Sequence, residues 1–205
     1  MIRGTTSLIA HLGYPTNSFK APMIYNPYFE HVGIDAVVMP MGCRAENFSE
    51  VLQAVFSLTN IRGALITMPH KVSVVSHLDE TSPAVRIAGS CNAVRRDDDG
   101  RLVGDMFDGE GFVRGLLRKG CTLAGAKVLV VGSGGVGSAI AASLSVRVAA
   151  ARCRMTSAAS HPVPASSSAR SCSGSVVGGS VASDITSPYW PVALIASGAG
   201  RSSLS

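Results

Sequence analysis

The chain has 205 residues, 46% of them hydrophobic and 15% charged, with a formal net charge of +5. That length supports one large or two small domains with a proper core, and no apolar run reaches the length of a membrane span. Cys43, Cys91, Cys121, Cys153 and Cys172 show neither C-x-x-C nor paired spacing with His, which argues against a disulfide framework or a metal site and for a reducing cytoplasm. The N-terminus, with one Arg and a short broken apolar patch, is a poor signal peptide. The excess positive charge belongs to residues 145–205, which carry five arginines, no lysine and one acid, Asp184. It is therefore no nucleic-acid signature of the folded part.

In chain order, Ser7 to Leu12 reads as a strand ended by Gly13-Tyr14-Pro15. Asn17 to Ala21 is a loop. Pro22 opens a helix to His31 with Gly33 as its stop, and Pro27 inside it is expected to kink or split it. Asp35 to Met39 is a second strand. Asn47 and Ser49 are candidate N-caps for a helix whose Val51, Leu52, Val55, Phe56 and Leu58 recur at helical spacing. Ala64-Leu65-Ile66 is a third strand, stopped by Thr67-Met68-Pro69, and VSVVSHL is expected to be helical after it. Ser82-Pro83 starts a further helix through Ile87, stopped by Gly89. Ala93 to Arg96 and Arg101 to Gly104 form a hairpin across the turn DDDG. Asp108 to Lys119 is a helix with Asp108 as its N-cap, and Lys127 to Val131 is a continuous apolar strand of parallel-sheet type. Strands and helices thus alternate over the first 144 residues, which implies an α/β architecture in two units, the first a mixed sheet ending near Gly120.

The stretch Gly63 to Lys71, GALITMPHK, puts Thr67 and Lys71 where a strand hands over to a helix. Ligands bind at the carboxyl ends of strands in α/β proteins, and a lysine there can shuttle a proton if its surroundings allow. A solvated first-turn lysine is the plain alternative.

Gly132-Ser133-Gly134-Gly135-Val136-Gly137 matches G-x-G-x-x-G, with KVLVV before it and SAIAASL after it. The three glycines serve a tight turn, close approach to a pyrophosphate, and helix-on-strand packing. No strand ending in an acidic ribose-binding residue is evident downstream, and no clear second strand at all.

These residues resemble the shikimate dehydrogenase family. Gly13-x-Pro15 followed by Pro22 and Asn26 resembles its first substrate loop. Thr67-x-Pro69-His70-Lys71 resembles T-x-P-x-K, and Gly89-Ser90-Cys91-Asn92-Ala93 resembles G-A-x-N-T. Gly104-x-x-x-Asp108-Gly109 resembles G-x-N-T-D-G, and the glycine loop follows in family order. The resemblance implies reversible hydride transfer between a cyclic hydroxy acid of the shikimate / 3-dehydroshikimate class and NADP or NAD, within the shikimate pathway. It implies Lys71 and Asp108 as catalytic pair, and Thr67 and Asn92 as holders of substrate hydroxyls. It places the cofactor on Gly132, Ser133, Gly134, Gly135, Val136 and Gly137. It implies no nucleic-acid or membrane partner, and a monomer or homodimer. The two carboxylate-holding serines of the family's first loop correspond to Phe19 and Ala21. The family's polar residues also give way to Leu65, Met106 and Phe107. The resemblance is thus to a divergent branch.

From Ser145 on the composition turns rich in Ser, Ala and Arg, and helical or strand periodicity is absent except in Pro191 to Ala196. The expected layout is a substrate-binding α/β domain at 1–120, the first βα unit of a Rossmann-type doubly wound domain at 121–144, and a disordered tail at 145–205. The abrupt change suggests a frameshifted or truncated product, in which the glycine-loop strand lacks neighbours on one side. A non-catalytic remnant that only binds a small hydroxy acid is the alternative reading.

Overall fold

The structure is a computed structural model and describes residues 2–147, 154–156, 180–187 and 190–197. The chain divides into two units, Met1–Phe107 and Asp108–Ser205.

In the first unit β1 (Ser7–Gly13), α1 (Ala21–Val32), β2 (Ala36–Gly42), α2 (Phe48–Ser57) and β3 (Ile61–Ile66) come first. They are followed by β4 (Glu80–Thr81), α3 (Pro83–Ala88), β5 (Ala93–Arg96) and β6 (Leu102–Asp105). One six-stranded sheet results, in the order β2-β1-β3-β5-β6-β4. β1 runs parallel to β2 and β3, β5 is antiparallel to both β3 and β6, and β4 is parallel to β6. The sheet is therefore mixed, as the sequence implies.

Burial explains the elements. Ala10 and Leu12 of the central β1 are fully buried. In α2 the buried residues are Phe48, Leu52, Val55 and Phe56, one stripe at helical period. Ser82 caps α3 by accepting the Val85 N–H at 3.3 Å, and Gly89 ends it at a left-handed φ of 62°, which a glycine adopts without a Cβ penalty.

Several expectations change. α1 runs unbroken through Pro27; the carbonyl that loses its partner belongs to Met23, one of the most exposed apolar residues. β2 continues to Gly42 through Pro40, which an edge strand tolerates because one row of its N–H groups is unpaired. Asn47 does precede α2, but its side chain makes no capping bond. VSVVSHL forms only a short 3-10 turn, Ser73–His77, and the two-residue β4 follows, which the sequence does not announce.

The second unit holds α4 (Asp108–Arg118), β7 (Lys127–Val131), α5 (Gly135–Arg147), β8 (Arg154–Thr156), β9 (Ser180–Ser187) and β10 (Trp190–Ser197). The division falls between Phe107 and Asp108 rather than near residue 120. The reason is that Val113 and Leu116 of α4 share a core with Val128 and Val130 of β7 and with Ile140 and Leu144 of α5. α4 meets α5 closely: a Cβ on Gly109 would collide with the Ala139 carbonyl oxygen and the Ser143 hydroxyl.

The second sheet has the order β8-β7-β10-β9. β8 is parallel to β7, so β7, α5 and β8 make a complete βαβ unit where the sequence shows no clear second strand. β10 is antiparallel to β7 and to β9. β7 is thus flanked on both sides, against the expected open edge, and β10 spans the apolar stretch at Pro191 to Ala196. The rest of the Ser/Ala/Arg stretch lies outside the described residues.

Candidate active site

Strand direction gathers the motifs of the first unit at one end of its sheet. The carboxyl ends of β1, β3 and β6 lie there, together with the amino end of the antiparallel β5. Backbone hydrogen bonds tie the loops together. Thr67 N–H donates to Leu12 O and Tyr14 N–H to Met68 O, both at 2.9 Å; Cys43 N–H donates to Gly13 O at 2.9 Å. Cys91 N–H donates to Lys71 O at 2.8 Å, Ile66 N–H to Asn92 O at 2.9 Å, and Asn92 N–H to Asp105 O at 3.0 Å. The Asn92 side chain accepts Phe107 N–H at its Oδ1, 3.0 Å away. The peptide bonds before Pro15 and Pro69 are both cis.

His70 anchors the turn that carries Lys71. Its ring is fully buried and stacks on Phe48 with centroids 4.1 Å apart and planes 10° apart. Nε2 lies 2.8 Å from the Cys43 carbonyl, so Nε2 carries the proton and donates. Burial holds His70 below its ordinary pKa, and a neutral ring fits this single donor role. The neighbouring Lys71 is half-buried.

His11 sits in β1 with only 6% of its surface exposed. Burial, and secondarily the positive charge of Lys71, lowers its pKa to about 4. It is neutral near pH 7. In the register of the sheet it stands beside Leu65 of β3. The Phe19 ring lies on it with centroids 4.1 Å apart.

Gly13 is the close-approach point. A Cβ there would meet the Thr67 methyl, the Met68 carbonyl oxygen at 2.7 Å and Phe19 Cζ at 3.0 Å. Burial raises the Cys91 and Cys43 thiols, so neither behaves as a ready nucleophile.

Thr67, Lys71 and Asn92 thus belong to one hydrogen-bonded set of loops, Phe19 joins it by its ring contact with His11, and Ala21 opens α1. Asp108 and the glycine loop belong to the second unit, where Asp108 begins α4 and its carboxylate suits the helix N-terminus. The sequence assigns no role to His11, and His70 enters it only as the variable position of T-x-P-x-K. A histidine inside the apolar strand SLIAHLG was the available signal for the first; nothing but packing identifies the second. A groove of about 540 Å³ lies elsewhere in the first unit, between β4 and the β5–β6 hairpin, lined by Arg86, Arg95, Asp105 and Phe107 among others.

In the second unit Gly132 has a φ of 115°, open to glycine and rarely to other residues. A Cβ on Gly137 would strike the Gly132 carbonyl oxygen, whereas one on Gly134 would meet nothing within 4 Å. That is the cradle a pyrophosphate needs: a turn, an open approach and a close helix–strand contact, with α5 starting at Gly135. Gly132 to Gly137 fit the phosphates of a dinucleotide. Among the described residues no cluster of three or more metal-ligating side chains occurs, and no helix is long and apolar enough to cross a membrane.

The shikimate dehydrogenase substrate binding domain family matches residues 12–94. The NADP(+) shikimate dehydrogenase of Alkaliphilus metalliredigens is 34% identical over 145 residues, 71% of this chain and 50% of that protein. The chain belongs to the shikimate dehydrogenase family. It spans about half the length of the curated relatives it matches. The Listeria monocytogenes shikimate 5-dehydrogenase solved with shikimate and NAD is 31% identical with a TM-score of 0.66, over 72% of this chain and 50% of that one. The ligand-free 5-ketofructose reductase of a Gluconobacter strain is 27% identical with a TM-score of 0.64, over 72% and 53%.

Proposed function

We propose that this family member serves a reversible oxidoreductase reaction between NADP(H) or NAD(H) and a ring hydroxyl of a shikimate-class substrate. The observation that carries the reading is the hydrogen-bonded convergence of the loops bearing Thr67, Lys71 and Asn92 at one sheet end. Relatives named as shikimate dehydrogenases, one of them solved with shikimate and NAD, support it.

Lys71 takes the proton of the reacting hydroxyl and returns it in the reverse direction. Asp108 completes the catalytic pair that the family resemblance implies. Thr67 and Asn92 hold the neighbouring hydroxyls, fixing which carbon reacts. His70, locked on Phe48 and Cys43, keeps the Lys71 turn in place. Gly132 to Gly137 would hold the dinucleotide phosphates; when bound, its nicotinamide supplies or accepts the hydride.

Steady-state kinetics of the whole enzyme on shikimate with NADP+ test this. Lys71→Ala lowers kcat by roughly 10²–10⁴-fold, the usual cost of losing a general base, and Asp108→Asn leaves more activity than Lys71→Ala. Near-native kcat in Lys71→Ala refutes the assignment.

A further inference from the structure

The groove of the first unit, about 540 Å³, falls in the size range of small-molecule sites, roughly 300–1,000 Å³. Its floor is one face of the β5–β6 hairpin. Ala93 stands opposite Asp105, and Arg95 opposite Val103. Alternate residues of a strand share a face, so Arg95 and Asp105 lie on the same side. β4 and α3 supply the wall, with Glu80, Ser82, Pro83 and Arg86. Ser82 ties wall to floor. Its hydroxyl caps α3 by accepting the Val85 N–H at 3.3 Å and donates to Asp105 Oδ1 at 2.6 Å. Asp105 Oδ1 also accepts the Met106 N–H at 2.7 Å, while Oδ2 takes no hydrogen bond among the described residues. Arg86 spends one N–H on the Thr81 carbonyl. Arg95 makes no hydrogen bond or ion pair among the described residues. Glu80 reaches Arg101 at 4.0 Å, both side chains being more than half exposed.

We propose that this groove is a second small-molecule site of the chain and takes a free α-amino acid with an apolar side chain. Arg86 and Arg95 stand against Glu80 and Asp105, so the lining carries no net charge. A lone anion or a lone cation meets repulsion as well as attraction there. A zwitterion finds a partner for each of its charges. The unspent forks of Arg86 and Arg95 suit a carboxylate. Asp105 Oδ2 and Glu80 suit an ammonium group, which carries donors only. Pro83, Val103 and the exposed ring of Phe107 give an apolar side chain somewhere to lie. Asp105 is already held by Ser82 and Met106, so little of its freedom remains to be lost on binding.

The test is calorimetric titration of the 205-residue chain with L-leucine, N-acetyl-L-leucine and L-leucinamide. Acetylation removes the ammonium charge and amidation the carboxylate. Each derivative therefore binds at least about tenfold more weakly than leucine, one charge-assisted hydrogen bond's worth of discrimination. Arg95→Gln removes a groove charge that bonds to nothing else among the described residues. It weakens leucine binding by a similar factor and leaves the melting temperature of the chain unchanged. Asp105→Asn keeps an acceptor for Ser82 and Met106, and it narrows the gap between leucine and N-acetyl-leucine. A chain that binds leucine no better than both derivatives, or not at all, overturns the proposal and leaves the hydride-transfer reading standing. Leucine affinity unchanged in Arg95→Gln overturns it as well, because binding then lies outside the groove.

Discussion

The amide of Cys91 donates to the carbonyl of Lys71 across 2.8 Å. This one bond joins two stretches that the sequence separates by twenty residues. It fixes the end of the Lys71 turn to the start of β5. The next residue, Asn92, accepts the Ile66 N–H at its carbonyl and the Phe107 N–H at its side-chain oxygen. The backbone around Lys71 is therefore held by neighbours on both sides, which is the preorganisation that proton transfer requires.

His70 is the internal support of that turn. His70→Ala removes a buried ring stacked on Phe48 and the bond to the Cys43 carbonyl. The expected cost is about 2–4 kcal/mol, from the cavity and the orphaned carbonyl together. His70→Gln, which keeps an N–H donor, loses less. Urea unfolding of both variants measures this; equal losses would mean that packing alone matters and that the bond to Cys43 adds nothing.

The depressed pKa of His11 makes stability depend on pH. The folded chain holds its proton only below about 4, while the unfolded chain takes one up near 6.5. Between those values the unfolded state binds more protons, so stability falls as pH drops through the window and is fully present above it. The buried His70 acts in the same direction. His11→Leu keeps the bulk and removes the titration. It should abolish on the order of 2–3 kcal/mol of the acid-side loss. Denaturation midpoints at several pH values check this, and an unaltered pH slope in the variant would contradict it.

Local signals made much of the fold legible. The stripe Phe48, Leu52, Val55, Phe56 marks α2, and Asp99-Gly100 marks the β5–β6 turn, where Gly100 takes a φ of 83°. Thr67, Lys71 and Asn92 were legible because short motifs carry them. What escaped depends on contacts distant in sequence. The partner of His70 is Cys43, and the place of His11 follows from its register with Leu65 and from the ring of Phe19. β8 has little pattern of its own and exists as a partner of β7, whereas β10 coincides with the apolar stretch Pro191 to Ala196. Pro69 did end β3, but what followed was a 3-10 turn, because His70 is drawn into the core one residue before Lys71.

Asn26 guards the open edge of the first sheet. Its Nδ2 donates to Val38 O at 3.1 Å, and its Oδ1 accepts Val38 N–H at 2.7 Å. Both backbone groups face away from β1, so the side chain occupies the place of a further strand. Asn26→Ala should cost roughly 1–3 kcal/mol for the two lost bonds and leave an unprotected edge prone to self-association. Guanidinium unfolding reads the first effect and gel filtration at rising concentration the second. A variant as stable and as dispersed as the parent would show that water replaces Asn26 without penalty.

Gly134 and Gly137 separate folding from cofactor binding within one loop. A methyl on Gly137 would strike the Gly132 carbonyl oxygen, whereas on Gly134 it would meet nothing within 4 Å. Backbone cannot yield as a flexible side chain does, so Gly137→Ala must push α5 away from β7 and disturb the core around Val130 and Ile140. Its expected cost is about 1–3 kcal/mol, the range for overpacking. Gly134→Ala leaves the fold intact, with a melting temperature within experimental error of the parent. Its methyl instead projects into the space through which a pyrophosphate approaches the loop, so NADPH affinity drops at least about tenfold while stability holds. Thermal unfolding and a fluorescence titration with NADPH on the two variants give four numbers to compare. Should Gly134→Ala bind NADPH as the parent does, the open face of the glycine loop is not where the phosphates lie.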